Sequence, residues 1–411
     1  MMTNPRGKSF LSYRRSRLEE AKLLIEAQHE VGVPTWQDLS NLGDAHTEEE
    51  LRGILASEDT ANALVWLTPD FSASDVIQKI ELPAIFSRLA LKDSFFMVAV
   101  AAGGLDYGTA ASAVRPEVAI RQPSEWNLRK ADGNPISKQE APRFANFVLR
   151  RRLAELQKRG KQSQALNLKL FTRQKPPSTM SDDLILDWTH LFTGRRTAQS
   201  NWGDVLLPAL SVVSENLVEQ NSDKVIHAGG LLSLPAAMAL GCSFLAPKRM
   251  SVLWEQYTPG RGSAYWSIES HREDCGFAAI TEGKDVDATA LAVLVSVNSD
   301  VTPAFLQSRT GLPKFRAVTS VTRQGPYPHL LDKPAQAIDL AHIIIDEIRI
   351  AKAKYHCSES HVFAAIPAGL AFLIGQLLNT MGPIQTYEHI QDTAIGQYEA
   401  AARLIPSRLT H

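Results

Sequence analysis

The sequence predicts an α/β protein with parallel sheets in two regions. Three observations predict it. Apolar runs of strand length, such as Ala63-Leu64-Val65-Trp66-Leu67 and Phe95-Phe96-Met97-Val98-Ala99-Val100, lack polar alternation, as in strands buried on both faces. These runs alternate with segments of helical period, which implies a sheet covered by helices on both sides. From residue 165 onward the order of elements repeats.

Composition narrows the class. The 411 residues are enough for two or three cores, and 44% hydrophobic with 21% charged residues is ordinary for a globular chain. With 43 basic and 44 acidic residues the net charge is −1, which argues against a global nucleic-acid footprint and leaves room for a local anion pocket. Cys242, Cys275 and Cys357 have no metal spacing and read as small core residues of a reducing compartment. No apolar run reaches membrane-spanning length and the N-terminus lacks a signal-type stretch, so the expectation is a cytoplasmic protein with no membrane partner and no long nucleic acid.

In the first region Ser9 to Tyr13 reads as a strand. Ser16 and Glu19 then have capping-box spacing ahead of a helix that runs to Gly32. Val33 to Trp36 reads as a second short strand and Gln37 to His46 as a polar loop. Thr47 and Glu50 form another capping box. After the strand ending at Leu67, Thr68-Pro69-Asp70-Phe71 leads to a helix starting near Ser74, with Val76, Ile77 and Ile80 as its apolar stripe. Glu81 lies beside that stripe, and Pro83 kinks the chain just beyond it. A carboxylate at the C-terminal rim of a parallel sheet stands where such sheets bind ligands, and a solvated helix glutamate is the plainer alternative.

Ser9-Phe10-Leu11-Ser12-Tyr13-Arg14-Arg15, Thr35-Trp36-Gln37-Asp38-Leu39 with Gly43, and Thr68-Pro69-Asp70-Phe71 with Ser74 and Glu81 resemble, in order, the boxes of TIR domains. The spacing from Ser74 to Glu81 is one residue longer than that family's. The resemblance implies a flavodoxin-like fold over residues 1–150, NAD as substrate and Glu81 as the catalytic glutamate. The chemistry fits. Breaking the nicotinamide–ribose bond develops oxocarbenium character and releases an already cationic leaving group, so one carboxylate suffices. Phe10, Arg14, Trp36 and Ser74 are the expected NAD contacts. Core packing is the other reading of Phe10 and Trp36, and a solvated helix start that of Arg14.

Residues 105–140 read as a connection. A helix rich in arginine (Arg150, Arg151, Arg152) follows, read as having a solvated basic face, and residues 151–164 link to the second region. There, Leu184 to Trp188, a helix from Val205 to Val218, Val225 to Gly230, Leu234-Pro235-Ala236 and Ser251 to Glu255 form one half. Leu291 to Val297, a helix from Ala335 to Lys354, Val362 to Ala365, Ile366-Pro367-Ala368 and Ile384 to Glu388 form the other. Proline in a first helical turn beside small residues favours phosphate binding at helix N-termini, and Arg195 and Arg196 supply cations.

Asp187 to Arg196, the segment around Leu234-Pro235-Ala236, and His361 to Pro367 through Tyr387 resemble SAVED domains, which are fused pairs of CARF-like Rossmann folds. The resemblance spans about residues 165–405, and the domain that it implies covers residues 165–411. It implies a bacterial anti-phage (CBASS) effector with a cyclic oligonucleotide as activator, cyclic tri-adenylate being the expected one. It also implies assembly into a homo-oligomer or filament that switches on NAD cleavage. The expected ligand contacts are Thr189, Arg195, Arg196, Gly230, Leu234, Pro235, Ser299, Ala365 and Pro367. No metal or bound cofactor is expected. Two alternatives stay open: a non-catalytic TIR adaptor gated by a cyclic nucleotide, and an enzyme whose second region cuts its own ligand.

Overall fold

The computed structural model describes residues 3–36, 48–116, 118, 126, 128–159, 165–246, 250–258, 260, 262–331 and 333–406. They divide into two units: Met1–Gln164 with Pro177–Leu186 and Glu219–Asn221, and Ala165–Pro176 with Asp187–Val218 and Ser222–His411.

The first unit carries a parallel sheet in the order β1 (Lys8–Ser12), β2 (Thr60–Leu67), β3 (Phe96–Ala101) and β4 (Arg129–Lys130). Its helices are α1 (Leu18–Glu30), α2 (Glu48–Ala56), α3 (Leu82–Ala90) and α4 (Ala141–Arg159). Every residue of β2 is buried, as the apolar run Ala63 to Leu67 predicts, and the buried Asn62 amide donates to Ser9 Oγ at 2.8 Å. Val65 and Leu67 join a core with Phe10, Phe71, Ile80 and Ile85, while Trp66 points to the other face and meets the edge of Phe144 on α4 at 5.3 Å.

Three expectations change here. Val33 to Trp36 is one parallel bridge, Ser9 to Thr35, rather than a strand, because Pro34 has no N–H to extend a ladder. The Ser16 capping box does not form, because the Ser16 hydroxyl donates to Asp70 Oδ2 at 2.6 Å instead. The arginine run is not all solvated. Arg152 is fully buried and donates to the carbonyls of Gly7 (2.6 Å), Arg6 (2.8 Å) and Asp183 (3.0 Å). Burial pulls its pKa down to about 10. Thr47 and the loop of Gln37 to His46 lie outside the described residues.

The expected kink at Pro83 is a π-helical turn, Ile77–Glu81, that runs directly into α3. The Leu82 N–H reaches back five residues to Ile77 O. A proline at position 83 cannot bond the Lys79 carbonyl and its ring crowds it, and the wider turn relieves that clash. The same solution recurs at Trp202–Leu206, where the Leu207 N–H bonds Trp202 O just before Pro208.

In the second unit, β5 (Ala165–Phe171) pairs in parallel with β7 (Val225–Leu231), β7 with β8 (Val252–Thr258), and β9 (Gly262–Trp266) closes the edge antiparallel. Along the chain between β5 and β7 come β6 (Leu184–Asp187), of which Leu184 to Leu186 fall in the first unit, α5 (Gln199–Asn201), the π turn and α6 (Leu207–Asn221), whose last three residues also fall in the first unit; α7 (Leu234–Ser243) follows β7. A second sheet of six strands has, from edge to edge, Ala278–Gly283, Phe315–Thr322, Ala290–Ser296, Glu359–Ala365, Ile384–Ile390 and Gln397–Leu404. Its strands are β10 (Ala278–Gly283), β11 (Ala290–Ser296), β12 (Phe315–Thr322), β13 (Glu359–Ala365), β14 (Ile384–Ile390) and β15 (Gln397–Leu404), with α8 (Thr302–Gln307), α9 (Pro334–Tyr355) and α10 (Ala368–Gln376) between them.

The repeat is real but shifted from the expected pairing. The succession β5, α6, β7, α7, β8, β9 matches β11, α9, β13, α10, β14, β15, each with two parallel steps and an antiparallel edge. Leu291 to Val297 therefore corresponds to Ala165–Phe171, not to Leu184–Trp188. The two halves join through α7 and α10. A Cβ on Gly241 would lie 2.0 Å from Phe372 O, and one on Gly375 would lie 2.2 Å from Met238 O. Each glycine thus meets the carbonyl three residues before its counterpart, which is the reciprocity of a pseudo-dimer.

Candidate functional site

The first candidate centre is Glu81. The π turn turns its side chain inward under the C-terminal end of β1, where the Ser12 hydroxyl donates to Glu81 Oε2 at 2.5 Å. The residue is only 8% exposed. Burial pushes its carboxyl up to about 7, against the opposing pull of the Ser12 hydrogen bond. Burial, and next the Glu81 charge, raise the neighbouring Tyr13 phenol. Asp70 lies on the same rim. Partial burial opposes ionisation of Asp70, but hydrogen bonds from Ser16, Thr68 and Arg14 outweigh it and hold the carboxyl at about 2.

The expected companions of Glu81 divide. Arg14 is at the rim with its Nε 3.4 Å from Asp70 Oδ2, and the Ser74 hydroxyl accepts from the Ile77 N–H at 3.3 Å at the entry to the π turn. Phe10 is 2% exposed and belongs to the core, so its ring has no free face for a ligand. Trp36 donates from Nε1 to Thr60 Oγ1 at 2.7 Å, where β2 begins. Ser12 pairs with Val65, and at a rise of ~3.3 Å per residue Thr60 lies roughly 16 Å from it along the strand. Trp36 and Glu81 therefore occupy opposite ends of the sheet.

The second candidate is a cavity of about 730 Å³ in the second unit. It is built at the C-terminal ends of β5, β7, β11 and β13, so both halves contribute. Ends of parallel strands are where open α/β sheets receive ligands. Arg173 follows β5, Arg195 follows β6, Asn298 to Asp300 follow β11, and Pro367 and Ala368 open α10. Ser233 caps α7 through its own side chain, accepting from the Ala236 N–H, whereas Pro367 gives α10 no side-chain cap. The wall includes Tyr387 and Tyr398, both packed on Phe363 in an aromatic cluster.

Glu388 on β14 organises the charge of this cavity. Its Oε1 accepts from Arg173 Nη2 at 2.8 Å and lies 3.9 Å from Arg195 Nη1. Its Oε2 is buried with no hydrogen-bond partner among the described residues. Burial raises the carboxyl to about 7, despite the lowering by Arg173 and Arg195.

Of the expected ligand contacts, Arg195, Leu234, Ser299, Ala365 and Pro367 line the cavity together. The other four do not. Thr189 gives its hydroxyl to Asp187 Oδ1 at 2.6 Å. Arg196 is held by Glu399 and Asp392. A Cβ on Gly230 would meet Leu170 O at 2.1 Å, so its bareness serves strand packing rather than a ligand. Pro235 is buried in α7. Sequence reasoning missed Arg173 and Glu388. Arg173 follows a strand with polar residues at alternate positions, and for Glu388 the only signal was the aromatic–Glu ending shared by the two halves.

Residues 210–404 match the family described as SAVED, the SMODS-associated and fused to various effectors sensor domain. No curated protein matches the chain. Among solved structures it is similar to an Acinetobacter baumannii Cap4 SAVED/CARF-domain containing receptor with the cyclic trinucleotide 2'3'3'-cAAA, at 14% identity and TM-score 0.49 over 88% of this chain and 86% of that one. The same receptor with 3'3'3'-cAAA gives 14% and 0.48 over 87% and 85%. A Moraxella osloensis Cap4 SAVED/CARF-domain containing receptor gives 14% and 0.42 over 94% and 98%. Among the described residues no helix is long and apolar enough to cross a membrane. The C-terminal part of this chain, residues 210–404, is a SAVED domain.

Proposed function

We propose that the protein is a cytoplasmic anti-phage effector in which a cyclic oligonucleotide, cyclic tri-adenylate in the first instance, switches on NAD cleavage. The observation that carries the sensor half is a cavity with two arginines at the strand ends of two related halves, within and beside the segment matched as SAVED. Arg173, Arg195 and the uncapped α10 N-terminus offer sites for phosphates, and the aromatic wall gives surface for bases.

The enzyme half is read as a TIR domain that hydrolyses NAD to nicotinamide and ADP-ribose. Three observations support it. With the Thr35 bridge, the first sheet has the spatial order 2-1-3-4-5 of flavodoxin-like folds. The π turn accommodates one extra residue, which matches the long Ser74-to-Glu81 spacing. The buried carboxyl of Glu81 lies on the C-terminal rim. The cationic nicotinamide ring of NAD beside Glu81 favours the ionised carboxylate, the proton passes to solvent, and the carboxylate then stabilises the oxocarbenium ion as nicotinamide leaves. Water completes the hydrolysis.

Ligand binding stacks SAVED surfaces head to tail into an open filament, and neighbouring TIR domains complete the NAD site between subunits. Incubation with NAD and a panel of cyclic oligonucleotides of different base, ring size and linkage tests the proposal. It predicts nicotinamide release and large scattering particles only with the cognate ring. Absence of nicotinamide with every ring tried would overturn it.

A further inference from the structure

In the cavity of the second unit the fixed charges cancel. Arg173 and Arg195 face Glu388 and Asp300; Arg173 donates to the Glu388 carboxyl at 2.8 Å, and Arg195, which donates to the His389 carbonyl at 3.2 Å, stands 3.9 Å from the same carboxyl. Glu388 is itself buried, with side-chain exposure of 9%, and makes poor use of that position, because one of its two oxygens has no partner among the described residues. A buried carboxylate with one unsatisfied oxygen is a costly arrangement for a group that only stabilises the fold.

We infer that Glu388 is an internal counter-ion that occupies Arg173 and Arg195 until an anionic ligand displaces it, so that Glu388 sets the threshold for activation. The ligand class, a ring of phosphodiesters, rests on the function proposed above. The counter-ion role rests on the geometry of these three side chains.

The mechanism follows from charge. With Glu388 ionised, an entering phosphate meets a neutral cavity and a carboxylate at close range. With Glu388 protonated, the charges of both arginines are no longer neutralised by it, although Arg195 keeps its bond to the His389 carbonyl, and the cavity carries net positive charge. The groups facing Glu388 are Arg173 beyond β5, Arg195 and Arg196 beyond β6, Asp300 beyond β11, Tyr387 and His389 on β14, Asp392 in the turn and Tyr398 and Glu399 on β15. Arg196 is spent on Asp392 and Glu399, which leaves Arg173 and Arg195 to the ligand. Burial brings the Glu388 carboxyl to about 7, so the protonation that frees them falls near neutral pH.

The direction is fixed. Anions bind more tightly as pH falls, because the competent, neutral-Glu388 fraction grows. Apparent affinity scales with that fraction, which gives about tenfold between roughly pH 8 and pH 6. Two probes separate this inference from the functional reading: cyclic tri-adenylate and trimetaphosphate, a cyclic trianion without bases. Both keep constant charge over this range.

Calorimetry on the full chain is the test. Wild type should bind each probe about tenfold more tightly at the lower pH. Glu388→Gln should bind at the higher pH as tightly as wild type does at the lower, with no pH slope, and thermal melts establish that it is folded. Arg173→Gln should weaken both probes. If Glu388→Gln keeps the wild-type slope, or binds more weakly than wild type at both pH values, the inference is wrong. If trimetaphosphate behaves as expected and cyclic tri-adenylate does not bind, the counter-ion stands and the proposed ligand falls. If neither probe binds, both fall.

Discussion

Ser12 and Glu81, sixty-nine residues apart, are joined by a 2.5 Å hydrogen bond across the end of β1 and the π turn. That bond holds a carboxyl in a site that desolvates it. The folded-state pKa lies near 7, above the ordinary value of 4.5, so the folded protein binds more protons than the unfolded chain between those values. Stability from this group therefore falls as pH rises through that window, by about 3 kcal/mol in full. Glu81→Gln should remove this group's share of the slope, leaving that of Glu388, whose carboxyl burial also raises to about 7, and should be the more stable protein at pH 8. Urea unfolding of both proteins at pH 4.5 and pH 8 measures it, and equal pH slopes would contradict it.

Gly241 and Gly375 hold the two halves at backbone contact. An added methyl has no flexible side chain to displace, only a carbonyl on the facing helix. Gly241→Ala and Gly375→Ala should each cost about 1–3 kcal/mol, and the double mutant should depart from additivity because the sites share one contact. Chemical denaturation of the three variants checks this.

Arg152 donates to three carbonyls of the first unit, in two bonds that are buried and one, to Arg6, that is half-buried. Arg152→Ala leaves them unsatisfied and should destabilise by about 3–5 kcal/mol, whereas Arg151→Ala, whose partner Glu155 keeps Lys158, should cost under about 1 kcal/mol. Differential denaturation of the two neighbours distinguishes them.

Arg195 and Arg196 are adjacent in sequence and differ in role. Arg195→Ala should weaken cyclic tri-adenylate by roughly 10–100-fold, the value of a lost charge-assisted hydrogen bond, while Arg196→Ala should change affinity little. Calorimetry on both single variants checks it, and equal losses would contradict the division.

The sequence carried the strand–helix alternation because apolar runs such as Ala63 to Leu67 admit few other readings. It carried Glu81 through its neighbours, since Pro83 demands a break there. It did not carry Ala165–Phe171 or Phe315–Thr322 as strands. Asn167 and Lys169 interrupt the first, and the second is rich in Thr and Ser, so neither reads as an apolar run. The cavity was half legible. Small residues and prolines mark helix starts, but whether Gly230 faces a ligand or Leu170 O depends on which strand lies beside it. Arg173 and Glu388 come together across 215 residues, and no local pattern records such a pair.

Under the proposed function, a cyclic nucleotide bound in the second unit turns on cleavage of NAD at Glu81. Nicotinamide release by wild type and by Glu81→Gln, with and without cyclic tri-adenylate and across a dilution series, tests it most directly. The account predicts ligand-dependent release by wild type that rises per subunit with protein concentration, and a loss of about 10²–10³ in rate for Glu81→Gln with ligand binding intact. Near-wild-type release by Glu81→Gln, or full activity without ligand at high dilution, would contradict it.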